Sequence, residues 1–581
     1  MKKVLLFKIF AFAALLTHAQ NAKVTWSDEF KLKKGSTDLD VLTTDNSGIY
    51  LSESHYVLKS YFVIGASLRA SSTLIKLDKN FGEIYRSDFN DELKDKEVES
   101  FFVFENKLFI VASHYERKEL SLTLYIAEVD KSSGKISGEW HQISAWTKED
   151  KNDDINFKLT YNSDSTQMIL VSNVQGSGKN TYRVQEYNKD FRVSNSGNLA
   201  NEFENNTYQL EDVIYTSNKK IILVGRIYTY QEGKKKKSRF LEFSNYNIRL
   251  YDEKGKQLKD INTQINGKWL VSSKMVQEKN QDIILAAFYS SEKKGDINGL
   301  LVQRINPENG EVLSTSDKEI NTSLISILDS SNTAVDDSDN KNDDESRQER
   351  KERESLDKIK DESEAFSKYM RFRNILYTPD GEVILAEKYH SYTYTSQSYT
   401  PGFNGSAGTW TSTTYRVYET GDLFMCKVNL AGNIHWLQVL PKEQREVTAI
   451  GRSTGYGMGV GFGFPGYFED RSQSRYSGFG VLQNANTLNI FFNDHPKNIG
   501  VTMPGQSVKV LNRFAVSDCF AITVNMQTGI YERQMLFHNK DVPTAMPAYS
   551  SVINNNLYII GKQDKLFAQS KIALAKISVS N

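Results

Sequence analysis

Leu74-Ile-Lys-Leu-Asp78-Lys-Asn-Phe-Gly82-Glu-Ile, Ile126-Ala-Glu-Val-Asp130-Lys-Ser-Ser-Gly134-Lys-Ile and Ile248-Arg-Leu-Tyr-Asp252-Glu-Lys-Gly255-Lys-Gln-Leu are copies of one unit: an apolar run ending in Asp, a turn closed by Gly, and a second run. Further copies carry Asn for Asp, at Tyr187-Asn188, at Ile305-Asn306 with Gly310, at Val428-Asn429 with Gly432, and at Val524-Asn525 with Gly529. An Asp or Asn side chain hydrogen-bonds the turn backbone, and Gly supplies the positive φ that other residues resist. Each copy follows a polar turn leading into an apolar run, such as Asp45-Asn-Ser-Gly48-Ile-Tyr-Leu, Glu105-Asn-Lys-Leu-Phe-Ile-Val111 or Pro379-Asp-Gly-Glu-Val-Ile-Leu385, and eight such hairpins are found. Four strands per repeat, A to D, at a period of roughly fifty to sixty residues signal an all-β β-propeller, with an open solenoid as the other repeat architecture.

The pattern predicts eight blades. Seven is the alternative, with the weakly patterned region between Gly432 and Asn525 irregular. The eighth C strand, Ile572 to Ile577, runs into the end of the sequence without a D strand, while Lys23-Val-Thr-Trp-Ser-Asp-Glu-Phe30 resembles the D strand Glu83-Ile-Tyr-Arg-Ser-Asp-Phe89. Pairing the N-terminal and C-terminal strands would close the ring and remove two open edges.

Residues 1–19 read as a secretory signal peptide, with basic Lys2 and Lys3, an apolar stretch from Val4 to Leu16 and the exit Thr17-His18-Ala19. Residues 20–581 then form one propeller domain, periplasmic or secreted, with no transmembrane segment in the mature chain. The two cysteines, Cys426 and Cys519, sit in C strands of different repeats and read as buried free thiols. The charge balance, 72 basic against 72 acidic side chains among 581 residues, gives no long-range attraction to nucleic acid.

Strands in a blade alternate direction, so the short A-to-B and C-to-D turns share one face and the B-to-C and D-to-A connections share the other. The long segments all fall on the second face: Ser54 to Ser72, Arg226 to Asn245, a charged insertion at 316–370, and loop insertions at 388–422, 441–480 and Asn493 to Val516. Long connections on a rigid scaffold are where binding residues concentrate. Within 388–422, the alternating Tyr, Ser and Thr from Ser391 to Tyr418 predict a projecting hairpin. Its Tyr392, Tyr394, Tyr399, Phe403, Trp410 and Tyr415 are the candidate binding residues, offering apolar area with a polar handle to a sugar or a protein. The alternative is that they pack on the neighbouring blade.

Catalytic motifs are weak. Gly451-Arg-Ser453-Thr-Gly455 fits the G-x-S-x-G string, but the alternating glycines after it do not favour the helix that a nucleophile elbow needs. Gly176-Ser-Gly178-Lys179 lacks the upstream Gly and the Ser or Thr of a phosphate loop. Asp336-Asp-Ser-Asp339-Asn-Lys-Asn-Asp343-Asp-Glu345 has the oxygen density of a calcium loop without its central Gly, and reads as a solvated acidic run. No two of the eight histidines stand at metal-ligand spacing. Neither metal nor cofactor is expected.

The C-to-D unit resembles the repeat of quinoprotein-type propellers, whose blades carry an Asp, a Gly and a Trp four residues after that Gly. Asn429-Leu-Ala-Gly432-Asn-Ile-His-Trp436 matches with Asn for Asp; Asp130 and Gly134 match, with Trp140 two residues late. The resemblance extends to the scaffold over most of the chain. The adjacent cysteine pair of the quinone-dependent dehydrogenases is absent, so it implies no cofactor, and such repeats also occur in assembly and binding proteins. The expected function is recognition of a protein or glycan in the cell envelope. The rivals are a glycan-active enzyme whose acids and bases converge from different blades, and a structural component of an envelope complex.

Overall fold

The computed structural model describes residues 22–579 except 34–35, 62–64, 163–164, 176–178, 205–206, 233–238, 263–268, 278–281, 293–296, 320–369, 401–408, 455–473 and 566–567. The described strands form eight antiparallel sheets, numbered here in chain order: 36–88, 97–147, 154–204, 208–262, 269–319, 370–454, 480–538 and 544–579. Each is a meander in which A pairs with B, B with C and C with D. Sheet 7 forms within the weakly patterned stretch after Gly432.

The B strands explain the arrangement. In Met168–Gln175 of sheet 3, Met168 and Leu170 pack with sheet 2, whereas Ile169 and Val171 pack with sheet 4. Ile221 and Leu223 of sheet 4 likewise face sheet 3, while Ile222 and Val224 face sheet 5. A strand covered on both faces has no polar side, hence the unbroken apolar runs. Eight apolar clusters join the sheets in this way: 1 to 2, 2 to 3, 3 to 4, 4 to 5, 5 to 6, 6 to 7, 7 to 8, and 8 back to 1. The protein is a closed β-propeller.

Closure uses the N-terminal segment as the outer strand of sheet 8. Ala22–Trp26 lies antiparallel to Ala568–Val579, from Ala22 opposite Val579 to Trp26 opposite Ala575, and Phe30 lies opposite Ile572. Ser27 N–H donates to the Leu574 carbonyl and Leu574 N–H to the Ser27 hydroxyl, both at 2.9 Å. Trp26 meets Phe537 of sheet 7 edge-on at 5.2 Å.

The C-to-D turns form as expected, with a correction. Asp78 Oδ1 accepts from Asn80 N–H and Gly82 N–H at 2.7 and 2.8 Å, and Asn188, Asp252, Asn306, Asn429 and Asn525 act similarly. In the first turn, however, Phe81 takes the positive φ of 69° and not Gly82; in the third, Phe191 does so at 58°. The Asx hydrogen bonds hold the turn without glycine there. Glycine is needed at Gly529 for a second reason: Trp436 of sheet 6 lies across it and donates its indole N–H to the Met526 carbonyl at 3.0 Å. A Cβ on Gly529 would sit 2.7 Å from the indole, at a φ of +72°. Trp436 therefore docks one blade on the next.

Other boundaries shift. The charged insertion is shorter than 316–370, because the D strand Val312–Glu319 and the A strand Met370–Thr378 claim its ends. The connections at Ser54 to Ser72 and Arg226 to Asn245 are largely strand, as B and C continue outward, unbroken in sheet 1 and past a register shift between Ile227 and Tyr228 in sheet 4. Cys426 and Cys519 are buried free thiols.

Trp26→Ala should lower stability by about 3 kcal/mol, and deletion of residues 22–31 should lower the calorimetric melting temperature further by exposing the last C strand. Gly529→Ala should cost about 2 kcal/mol through combined overpacking and backbone strain, read from chemical denaturation.

Candidate binding face

The long connections of sheets 6, 7 and 8 gather on the face opposite the Asx turns. Two strands of sheet 6, Gly381–Thr400 and Thr409–Asn429, run beyond the blade as a projecting arm. A bulge between Glu387 and Tyr389 marks their departure, and pairing then runs unbroken from Tyr389 opposite Thr420 to Thr400 opposite Thr409. Alternating Tyr, Thr and Ser favour this extended, pleated course. A third strand, Gln444–Thr454, pairs along the arm from Gln444 opposite Thr420 to Thr454 opposite Thr411. The arm is thus a three-stranded sheet rather than a lone hairpin.

Tyr392 and Tyr394 lie on the first strand of the arm. Tyr394 is opposite Tyr415, and their half-buried rings stack at 5.1 Å with planes 16° apart. Tyr392 is half-buried with its ring 5.2 Å from that of His390 in the same strand. Tyr399 and Trp410 are cross-strand partners, one pleat out of phase with the Tyr394 and Tyr415 pair. Phe403 lies outside the described residues. Among the described members, the Tyr394 and Tyr415 rings pack on each other within the arm.

A buried polar clamp holds the base of the arm, and nothing in the sequence singled it out. Glu387 and Lys442 are both fully buried and paired at 3.0 Å, and Glu387 also meets Arg373 Nε at 2.6 Å. Lys442 donates further to Thr420 Oγ1 at 3.1 Å and to Gln444 Oε1 at 3.2 Å. Gln444 Nε2 donates to the Asn493 carbonyl at 2.6 Å, and its Oε1 accepts from Gly478 N–H at 2.9 Å. Asn493 donates to the Tyr476 and Ala545 carbonyls, and Asn539 donates to Asn493 Oδ1 at 2.9 Å. Glu446 accepts three successive backbone N–H groups, from Arg475, Tyr476 and Ser477, at 2.7 to 2.9 Å. Sheets 6, 7 and 8 are thereby tied through their connections. Lys442-Glu-Gln-Arg-Glu446 reads in sequence as a solvated charge run, and only the three converging connections bury it.

Burial alone would raise the Glu387 carboxyl, but the Arg373 and Lys442 charges outweigh it and hold the group below its ordinary value. Its Oε2 accepts from Lys442, while Oε1 meets Arg373 as an ion pair without hydrogen-bond geometry, so Glu387 serves to position the connection. A different pair stands nearer solvent: Asp518, buried, faces the half-exposed His538 with Oδ1 2.6 Å from Nδ1. A carboxylate so placed orients an imidazole. Its neighbours offer no activated nucleophile: burial pushes up the Cys519 thiol, and the Ser517 hydroxyl is spent on the Phe514 carbonyl. Gly451 to Thr454 lie in the third strand of the arm, which is no strand-to-helix turn. Among the described residues no three His, Cys, Asp or Glu are grouped to hold a metal ion, and no helix is long and apolar enough to cross a membrane. Residues 1–19, Gly176 to Gly178 and the acidic run at Asp336 to Glu345 lie outside the described residues.

No protein-family model matches the chain, and no curated protein matches it in sequence. Among solved structures it is similar to the β-propeller domain of the Trilobed protease from Pyrococcus furiosus, at 9% identity and a TM-score of 0.29, covering 87% of this chain and 98% of that one. It is similar to prolyl oligopeptidase B from Galerina marginata at 11% identity and a TM-score of 0.27, covering 66% of this chain; it spans only 39% of that enzyme's length. A GH93 α-L-arabinofuranosidase of Fusarium graminearum matches at 11% identity and a TM-score of 0.26, over 52% of this chain and 99% of that one.

Because the Glu387 pKa is depressed, its stabilising contribution is present above the ordinary glutamate value of 4.5 and is lost as pH falls through the lower folded value. Glu387→Gln should cost about 3–5 kcal/mol at neutral pH by leaving Lys442 and Arg373 under-compensated. The gap between variant and wild type should narrow on acidification, as measured by denaturant melts across pH.

Proposed function

We propose that the protein is exported and acts without catalysis as a binding or scaffold protein of the cell envelope, recognising a protein or glycan through the face that carries the long connections. The observation that carries this reading is the three-stranded arm of sheet 6, which sets Tyr392, Tyr394 and Tyr415 on a braced extension beyond the blade. Phe403 and Trp410 complete the proposed contact set. Holding the arm through the Glu387 and Lys442 clamp keeps its ordering cost out of the binding step. Export rests on Met1 to Ala19 as a cleaved signal, leaving a mature chain that starts at Gln20. The scaffold is taken as quinoprotein-like in its blade repeats, without the cofactor.

A glycan-active enzyme is the second reading, and the observation favouring it is the Asp518 and His538 pair at a strand end of the same face. It requires a second acid or base and a substrate cleft close to His538.

Screening exported glycans and envelope proteins against the wild type and a Phe403→Ser, Trp410→Ser double variant tests the binding reading. A ligand found for the wild type should bind the variant at least about tenfold more weakly. Equal binding by both removes the arm as the site. Glycan hydrolysis that His538→Ala abolishes would favour the enzyme.

A further inference from the structure

The connection between the B and C strands of sheet 7, His495 to Ser517, holds three basic residues, Lys497, Lys509 and Arg513, and not one Asp or Glu. It carries no strand of the sheet, yet is braced throughout. Buried Asp494 accepts from His495 N–H at 2.7 Å and Asn498 Nδ2 at 2.8 Å, and pairs with Arg533. Asn498 then spans the loop, donating to the Lys509 carbonyl at 2.8 Å and accepting Lys509 N–H at 2.9 Å. Gln506 Oε1 accepts Thr502 N–H and Met503 N–H, each at 2.7 Å, and Arg533 donates to the Val501 carbonyl at 3.1 Å. At its base, Arg445 N–H donates to the Leu511 carbonyl at 2.9 Å, and Phe514 stacks on Tyr476 at 5.8 Å.

Within the loop Val501, Val508, Leu511 and Phe514 are buried. It nevertheless leaves Ile499, Met503 and Val516 exposed at 57, 66 and 50%. Aliphatic side chains held out to water on a braced, purely basic loop form a prepaid contact surface: its shape exists before any partner arrives. Resting on the binding-protein reading above, but on different residues, we propose that this loop docks a protein partner whose contacting segment is acidic and carries aliphatic side chains. Charge complementarity selects the acidic rim, since Asp494 and Asp518 at the two ends are already paired with Arg533 and His538. Aliphatic contacts argue for protein over an anionic glycan, because sugar faces are met by aromatic rings and the one aromatic residue of this loop, Phe514, is buried. Met503 adapts its shape to the apolar part.

The test uses the full mature chain and fluorescence anisotropy with four probes. These are a labelled peptide alternating Glu with Leu, the same peptide with Ser for Leu, its Lys-for-Glu counterpart, and alginate oligosaccharide. The Glu and Leu peptide should bind at least about tenfold more tightly than either other peptide, and more weakly as salt rises. Ile499→Asp with Met503→Asp should weaken it about tenfold, as should the Lys497→Glu, Arg513→Glu double variant, with melting temperatures unchanged because these four side chains are exposed. The Phe403→Ser, Trp410→Ser variant should bind the peptide as the wild type does, which keeps failure of the arm distinct from failure of the loop. Equal affinity for the Lys and Leu peptide, or indifference to either loop variant, overturns the proposal. Tighter binding of alginate that survives Met503→Asp overturns it in favour of an anionic glycan.

Discussion

Each B strand serves two interfaces at once, and the rest of the molecule depends on that constraint. Successive residues of a strand point to opposite faces, so Ile169 and Leu170 can only both be buried if a sheet lies on either side of their own. A single blade leaves one apolar face in water, and so does an open stack at each end. The ring is the arrangement in which no blade is terminal. The N-terminal segment completes it: Ala22–Trp26 is the outer strand of the last blade and packs toward sheet 7, while Phe30 and Leu32 just after it join the apolar cluster between sheets 8 and 1.

A ring stabilised by its interfaces leaves the connections at its rims free to vary, and the two faces use that freedom differently. On one, an Asp or Asn and a few residues reverse the chain with local hydrogen bonds alone. On the other, sheets 6, 7 and 8 carry extra length, and the clamp around Glu387, Lys442, Gln444 and Asn493 converts it into an ordered platform. Burying an ion pair there is a poor way to gain stability, since desolvation offsets most of the attraction. Its use is positional. Glu387 sits at the bulge of the first arm strand and Lys442 in the connection that leads to the third, and their pairing is lost if either shifts. The arm of sheet 6 and the basic loop of sheet 7 project from this common base.

Much of the scaffold was legible because its signals are local. Asp78 with Asn80 and Gly82, or Asn525 with Gln527, makes its turn within five residues, and the B-strand runs announce double burial by lacking a polar side. Ala575 and Trp26, by contrast, are 549 positions apart in the chain; their pairing was readable only because the two termini resemble parts of the chain's own repeat. The turn residue itself was misassigned at Phe81, where Asx hydrogen bonding carried a position that a glycine rule gives to Gly82.

The candidate face divides along the same line. Alternating Tyr and Thr showed the arm as a hairpin, since β-propensity and pleat parity are properties of consecutive residues. The third strand at Gln444 to Thr454, the burial of Lys442, and the exposure of Met503 arise from partners that sequence distance hides. By itself the sequence determined the repeat, the strand order, the turn chemistry and which side of the disc holds the long connections, because each follows from short-range pattern and alternation. Only the tertiary structure decided which charges are buried and which aliphatic groups meet water, because solvation depends on what the rest of the chain places alongside.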